Sequence, residues 1–177
     1  MILIKNWSLL NKFAISGDHS LAILITMKQH TKKIYPPTIF YTLAISNIFL
    51  WMVLPTENLF TFPINLIGLI PTIIGVVINL WTDIHFKRND TTVKPDGIPS
   101  TLIISGPFAL SRHPMYLGMG LILFGEAIVL GSLASFLIPI LFIIIIEKFF
   151  IPIEERTLMT WFPDEYGEYQ KRKRKWI

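Results

Sequence analysis

Residues 114–149 read PMYLGMGLILFGEAIVLGSLASFLIPILFIIIIEKF, and Glu126 is the only charged residue in that stretch before Glu147. One helix needs roughly 20 apolar residues to cross about 30 Å of hydrocarbon, so this run is long enough for two crossings. Gly131-Ser132 is the only turn-forming pair within it. The run therefore predicts a tight helical hairpin, with one span over residues 114–131 and the next over 133–149.

Working outward, residues 62–81 form a further apolar segment in which Pro71 is expected to introduce a kink. Residues 38–54 form another, directly after the Pro36-Pro37 break. The expected fold class is all-α integral membrane, with about four transmembrane helices in two hairpins and a C-terminal amphipathic cytoplasmic helix. A chain of 177 residues allows one domain. Its expected parts are an N-terminal interfacial segment (1–37), a transmembrane core (38–150) and a C-terminal helix with a basic tail (151–177). In the first part, Ile2, Leu3, Trp7, Leu9, Leu10 and Phe13 suit an amphipathic helix lying in the interface. No cleavable signal peptide is expected, because Lys5, Lys12, Asp18 and His19 interrupt every early apolar run.

Composition agrees with a membrane setting. The apolar fraction is 52% and only 16% of residues are charged, against about 25% charged in a typical soluble domain. The formal net charge of +4 is not spread over a polar face, which argues against nucleic acid as a partner. Lys and Arg cluster at the edges of the apolar runs instead. They precede Pro36 (Lys5, Lys12, Lys28, Lys32, Lys33), occupy the central loop (Lys87, Arg88, Lys94, Arg112) and fill the tail from Lys171 to Lys175. The loops at residues 55–61 and at Gly131 contain none. By the positive-inside rule both termini and the central loop are expected to be cytoplasmic. The absence of cysteine excludes disulfides and thiolate catalysis, and no metal site is assigned.

The chemistry-bearing residues lie at this cytoplasmic side. Ser105 to Gly118 reads SGPFALSRHPMYLG and leads a loop into the span that begins at Pro114. A helix start leaves the N–H groups of Met115, Tyr116 and Leu117 open to an anionic group such as a carboxylate. Arg112 and His113 add donors there, and Gly118 and Gly120 permit close approach. The plainer alternative is that Arg112 meets lipid phosphate and His113 caps the helix. Glu154-Glu155 follows the last span, where Pro152 suits the first turn of a new helix. Adjacent helix positions differ by about 100°, so the two acids are not expected to face one ligand equally. One could accept hydrogen bonds from an ammonium or ribose while the other complements the helix N-terminus; both could equally be ordinary first-turn acids. Beyond them, Glu155, Leu158, Phe162, Tyr166 and Tyr169 recur at helical spacing. This predicts an amphipathic helix broken at Pro163, with Asp164 as N-cap. At membrane depth, Asn47, Asn79, Glu126 and Glu147 call for a partner or a cavity. Asn79 and Asp83 share a face, either toward a cavity or as caps.

Together these motifs resemble the isoprenylcysteine carboxyl methyltransferase and phospholipid methyltransferase superfamily. The resemblance covers roughly residues 79–176. It is carried by Gly106-Pro107-Phe108, Arg112-His113-Pro114-Met115-Tyr116 with Gly118, Glu154-Glu155 with Leu158 and Phe162, and Asp164-Glu165-Tyr166 with Tyr169. Thr91-Thr92-Val93-Lys94-Pro95 is similar to small prokaryotic members. The resemblance implies S-adenosylmethionine bound at the cytoplasmic face beneath a closing C-terminal helix. Carried over by position, Ser100, Thr101, Leu102, Ile103, Phe108, His113, Pro114, Met115 and Tyr116 line the cofactor pocket. Glu154 is its acidic ligand and Glu155 a neighbour. Arg112, at the pocket edge, is the candidate catalytic residue.

The expected function is methyl transfer to a membrane-embedded acceptor, a lipid head group or other small amphiphile being favoured. Relatives that methylate a prenylcysteine carboxylate carry an arginine four residues before the matched glutamate, and here that position is Phe150. Prenylcysteine carboxyl O-methylation is the first alternative. An NADPH-dependent enzyme resembling sterol reductases, or a non-catalytic lipid-binding membrane protein, is the second. An amine acceptor would need a base, for which Glu126, Asp83 and His113 are the local candidates.

Overall fold

The computed structural model describes residues 35–54, 59–89 and 101–177. Residues 1–34 of the expected interfacial segment, residues 91–95 and Ser100 lie outside the described residues. Helix α1 covers Pro36–Val53. Helix α2, Leu69–Arg88, is entered through a 3-10 turn at Ile64–Gly68. Helix α3 is Pro114–Leu130. A second 3-10 turn, Leu133–Phe136, leads into α4, Leu137–Ile145. A π-helical turn, Ile146–Phe150, then carries the chain into α5, Ile151–Trp161, and α6 is Pro163–Arg172.

Among the described residues, three helical runs are long and apolar enough to cross a bilayer, namely Pro36–Val53, Ile64–Arg88 and Leu133–Trp161; Pro114–Leu130 is apolar and shorter. Ile45, Met52, Ile67, Ile73, Ile140 and Phe149 point outward with roughly half or more of their surface exposed. Apolar surface on that scale requires lipid around it. The protein is an all-α integral membrane protein, as the run lengths predict.

Several boundaries correct the sequence expectation. Pro71 falls in the first turn of α2, just after the 3-10 turn passes into α-helix. Helix α2 also runs past Trp81 to Arg88; nothing in that stretch breaks a helix, and His85, Lys87 and Arg88 complement its C-terminal dipole. Pro152 does stand in the first turn of α5, but α5 is not a free-standing helix, since the helical run is continuous from Leu133 to Trp161. The π-helical turn just before Pro152 widens the coil and accommodates a residue with no N–H to donate. Glu154 and Glu155 therefore have no free helix N-terminus beside them. The break at Pro163 is present, but Phe162 is the N-cap; Asp164 sits within the first turn of α6.

Helix α3 is the hub. On one flank it meets α2 along a seam of glycines. A Cβ added at Gly68 would lie 2.4 Å from the Gly125 carbonyl oxygen, and one at Gly75 would lie 2.4 Å from that of Gly118. The two pairs are seven residues apart on each helix, two turns along one face, and small residues there let the backbones meet closely. On the other flank, Tyr116, Met119 and Leu123 of α3 pack with Ile138 and Phe142 of α4, and Phe40 and Leu43 of α1 cover them. The hairpin turn forms as expected. Gly131 adopts φ +71°, and a side chain there would also strike the Phe60 carbonyl. Within the core, buried Asn47 of α1 places Nδ2 3.4 Å from Glu126 Oε2 of α3. Glu126 thus has a protein partner at membrane depth and ties α1 to the hub.

Candidate active site

The site forms where α3 begins. His113 is the N-cap residue, Pro114 occupies the first helical position, and both are buried. The His113 carbonyl accepts the Leu117 N–H at 3.1 Å, so Leu117 is not an open donor as the sequence suggested. Only Met115 and Tyr116, the two N–H groups ahead of the first i→i−4 bond, remain free of that ladder.

Glu154 and Glu155 of α5 approach this helix start. His113 Nδ1 lies 3.4 Å from Glu154 Oε2, and Nε2 lies 3.2 Å from Glu155 Oε1. The two adjacent acids thus approach one imidazole from different edges. An imidazole has nitrogens on two edges, and the ring stands between the two carboxylates. Arg112 Nη1 reaches Glu155 Oε1 at 2.8 Å, and Gln170 Nε2 of α6 donates to Glu155 Oε2 at 3.4 Å. With His113 protonated, two cations face two anions in one patch.

Exposure separates the two acids. The Glu155 side chain is 16% exposed and engaged by three residues, whereas Glu154 is 30% exposed with His113 as its only ion-pair partner among the described residues. Glu154 therefore keeps acceptor capacity for a ligand, and Glu155 is a structural counterion. Burial on its own would lower the His113 pKa, but the flanking Glu154 and Glu155 carboxylates outweigh it and hold the ring above its ordinary value. Tyr116 stacks on that imidazole, with ring centroids 5.8 Å apart.

Helix α6 and the tail close the patch from the other side. Tyr166 and Tyr169 are the buried face of α6. Burial raises both phenols, Tyr169 to about 12 and Tyr166 further, so both stay neutral. The Tyr169 hydroxyl donates to the Phe108 carbonyl at 2.6 Å. Farther on, the Arg112 N–H donates to the Arg174 carbonyl at 3.2 Å, and Ser111 Oγ donates to the Lys175 carbonyl at 2.8 Å. Ser111 Oγ also accepts the His113 N–H at 3.1 Å. Ser111, Gln170 and the tail backbone were not singled out in the sequence. More than fifty residues separate Ser111 from the tail, and no local pattern announces such a contact.

The remaining expected residues are not drawn into the patch. Thr101 is exposed, and Leu102 and Ile103 are half-buried. No hydrogen bond or ion pair among the described residues joins them to the cluster. The Phe108 ring packs edge-on against Phe86 of α2, 5.3 Å between centroids. Met115 is half-buried in the first turn of α3. Asp83 pairs with Lys87 on the α2 surface, while Asn79 abuts Gly118, so these two serve no common cavity.

Comparison with known proteins follows the same map. The phospholipid methyltransferase family model matches residues 64–165, more than half of the chain and every residue of the charged cluster. A 74-residue stretch is 36% identical to Protein-S-isoprenylcysteine O-methyltransferase of Schizosaccharomyces pombe, covering 40% of this chain and 30% of that protein. The chain thus matches under a third of that relative's length. A 63-residue stretch is 40% identical to an uncharacterized protein of Haemophilus influenzae, covering 36% of this chain and all of that one. With the family model spanning α2 to the first turn of α6, the chain belongs to the phospholipid methyltransferase family.

Proposed function

We propose that this chain is an integral-membrane methyltransferase that uses S-adenosylmethionine and acts on an acceptor held in the bilayer, a lipid head group or another small amphiphile. The observation that carries the reading is the Arg112–His113–Glu154–Glu155 cluster at the start of α3, inside the family match. The residues present fit the donor. Arg112 Nε is a buried donor without a hydrogen bond among the described residues, and Glu154 is a partly exposed acceptor whose Oε2 lies 3.4 Å from His113 Nδ1. A zwitterionic ligand needs both, and the Met115 and Tyr116 N–H groups favour its carboxylate. Glu154 would hold the ammonium or ribose side, with His113 fixing the Glu154 carboxylate. When bound, the sulfonium supplies a methyl group that needs no further activation. The protein's part is to position, to exclude water and to orient the acceptor. Charge placement supports four crossings with both termini cytoplasmic, which puts the cluster on the side of the soluble cofactor.

Phe150 favours a lipid head group over a prenylcysteine. Its ring packs against the apolar core, and an unpaired carboxylate beside it would be costly to bury. The S. pombe relative's name favours the other reading, prenylcysteine carboxyl methylation. Titration calorimetry with adenosylhomocysteine tests the cofactor. Binding is expected, and Glu154→Ala and His113→Ala should each weaken it at least tenfold, about 1.4 kcal/mol. Wild-type affinity in both variants would remove the site assignment. Labelled adenosylmethionine offered with N-acetyl-farnesylcysteine and with a total lipid extract then decides between acceptors; label in farnesylcysteine alone overturns the lipid reading.

A further inference from the structure

We infer that Ser111 is a positioning residue for the charged cluster, and that it acts by clamping the His113 backbone to the C-terminal tail. The inference rests on the reading that this cluster holds the methyl donor. It adds how the ring at the centre of the cluster is kept in place.

His113 must present both ring nitrogens to Glu154 and Glu155 of α5, yet its own backbone belongs to no regular element. It is the N-cap of α3, at φ −128° and ψ 62°. The N–H of an N-cap residue has no carbonyl one turn back to reach, and a buried N–H left without a partner is costly. Here the partner is Ser111 Oγ, 3.1 Å away and two residues upstream. The same hydroxyl donates to the Lys175 carbonyl at 2.8 Å. A serine hydroxyl has one proton, so that proton is committed to the tail while a lone pair holds His113. Ser111 is fully buried, and bulk water cannot take over either bond. Both bonds lie within the protein, so Ser111 acts on the site through His113 and not as a cofactor ligand.

The tail end of the clamp is itself held in register. The Arg112 N–H donates to the Arg174 carbonyl at 3.2 Å, so consecutive residues 111 and 112 engage consecutive carbonyls 175 and 174. Trp176, the next residue, packs against the hydrophobic core. It lines an apolar groove between α3 and α4 together with Tyr116, whose ring stacks on His113. The tail therefore reaches the imidazole by two routes, a hydrogen bond to its backbone and an aromatic path to its face. The Lys175–Glu147 ion pair, 3.5 Å long and partly exposed on both sides, adds little to this. Without the Ser111 hydroxyl, the His113 N–H and the Lys175 carbonyl each lose their partner, and the ring loses its tie to the tail backbone.

The test reads two quantities on the whole chain in detergent. One is adenosylhomocysteine affinity by calorimetry. The other is the pair of His113 ring-nitrogen signals in protein labelled with nitrogen-15 histidine, identified by their absence from His113→Gln. Ser111→Ala should weaken binding about fivefold or more, which is about 1 kcal/mol at 1.4 kcal/mol per tenfold, and should displace the ring signals. Ser111→Thr keeps the hydroxyl and should return both readings toward wild type, which a role in packing alone would not do. Trp176→Ala should displace the same signals. Its effect combined with Ser111→Ala should fall short of the sum, because both act through one tail. Wild-type affinity with unmoved ring signals in Ser111→Ala would overturn the proposal, and so would full additivity with Trp176→Ala. Should Ser111→Ala fail to fold, unmoved ring signals in Trp176→Ala would overturn it instead. A wild-type chain that does not bind adenosylhomocysteine would sink the methyl-donor reading, while the ring signals still decide whether the clamp exists.

Discussion

The two flanks of α3 carry glycines two positions apart, Gly118 and Gly120, and use them in opposite ways. Two positions are about 200° around a helix, so the residues face different neighbours. On the α2 flank the missing side chain is filled by protein, with the Asn79 amide and the Gly75 carbonyl lying where a Cβ would stand. On the α4 flank nothing among the described residues comes closer than the Phe142 ring at 4.0 Å. A glycine in an apolar span therefore has two distinct meanings, contact and clearance. Hydropathy cannot tell them apart, because both leave the same gap in a run of apolar letters.

The contrast breaks most visibly on the α2 flank. In Gly125→Val the first added carbon would stand 2.1 Å from Thr72 Oγ1 and 2.4 Å from the Gly68 carbonyl oxygen. Neither helix can yield without opening the seam. The expected destabilisation is at least the upper end of the ~1–3 kcal/mol that overpacking costs, read as a fall in Tm in detergent. An unchanged Tm would mean that the seam is looser than described.

At the end of α3 where the flanks meet, the expected effect is smaller and depends on pH. The folded pKa of His113 is raised above its ordinary 6.5. The ring's ionic contribution is then fully present below about 6.5 and is lost as pH rises through the folded value. Tm should decline from mildly acidic toward mildly alkaline pH, and His113→Gln should remove that slope. A slope of equal size in the glutamine variant would show that it does not come from His113.

The smallest effect belongs to the α4 flank. Gly120→Ala should change stability by no more than about 1 kcal/mol, toward a higher Tm, because helix propensity improves and nothing collides. A marked loss of stability there would show that the clearance is structural after all, and the two flanks would no longer differ.

Much of the fold was legible locally. The apolar runs, the Gly131 turn and the Pro163 break each depend on a few consecutive residues whose propensities agree. The Gly68–Gly75 and Gly118–Gly125 spacings were also there to be read, since a seven-residue repeat of small residues marks one helix face. Continuity through Pro152 was not legible, because proline after an apolar run reads as a helix start. A π-helical turn is a rare accommodation without a sequence signature of its own.

Within the site, residue types and motif spacing brought forward Arg112, His113, Glu154 and Glu155. By itself the sequence determined that the chain lives in a bilayer and that its charged residues cluster at the edges of the apolar runs. Both follow from the cost of placing charge in hydrocarbon. Only the tertiary structure decided that one imidazole stands between adjacent carboxylates and that Glu155 is spent on Arg112 while Glu154 stays open. It also decided that the tail is strapped to Ser111 and that an apolar groove leads to Tyr116. These pairings join α3 to residues tens of positions away. Their geometry is set by how closely α2, α3 and α4 approach, a distance that no single segment encodes.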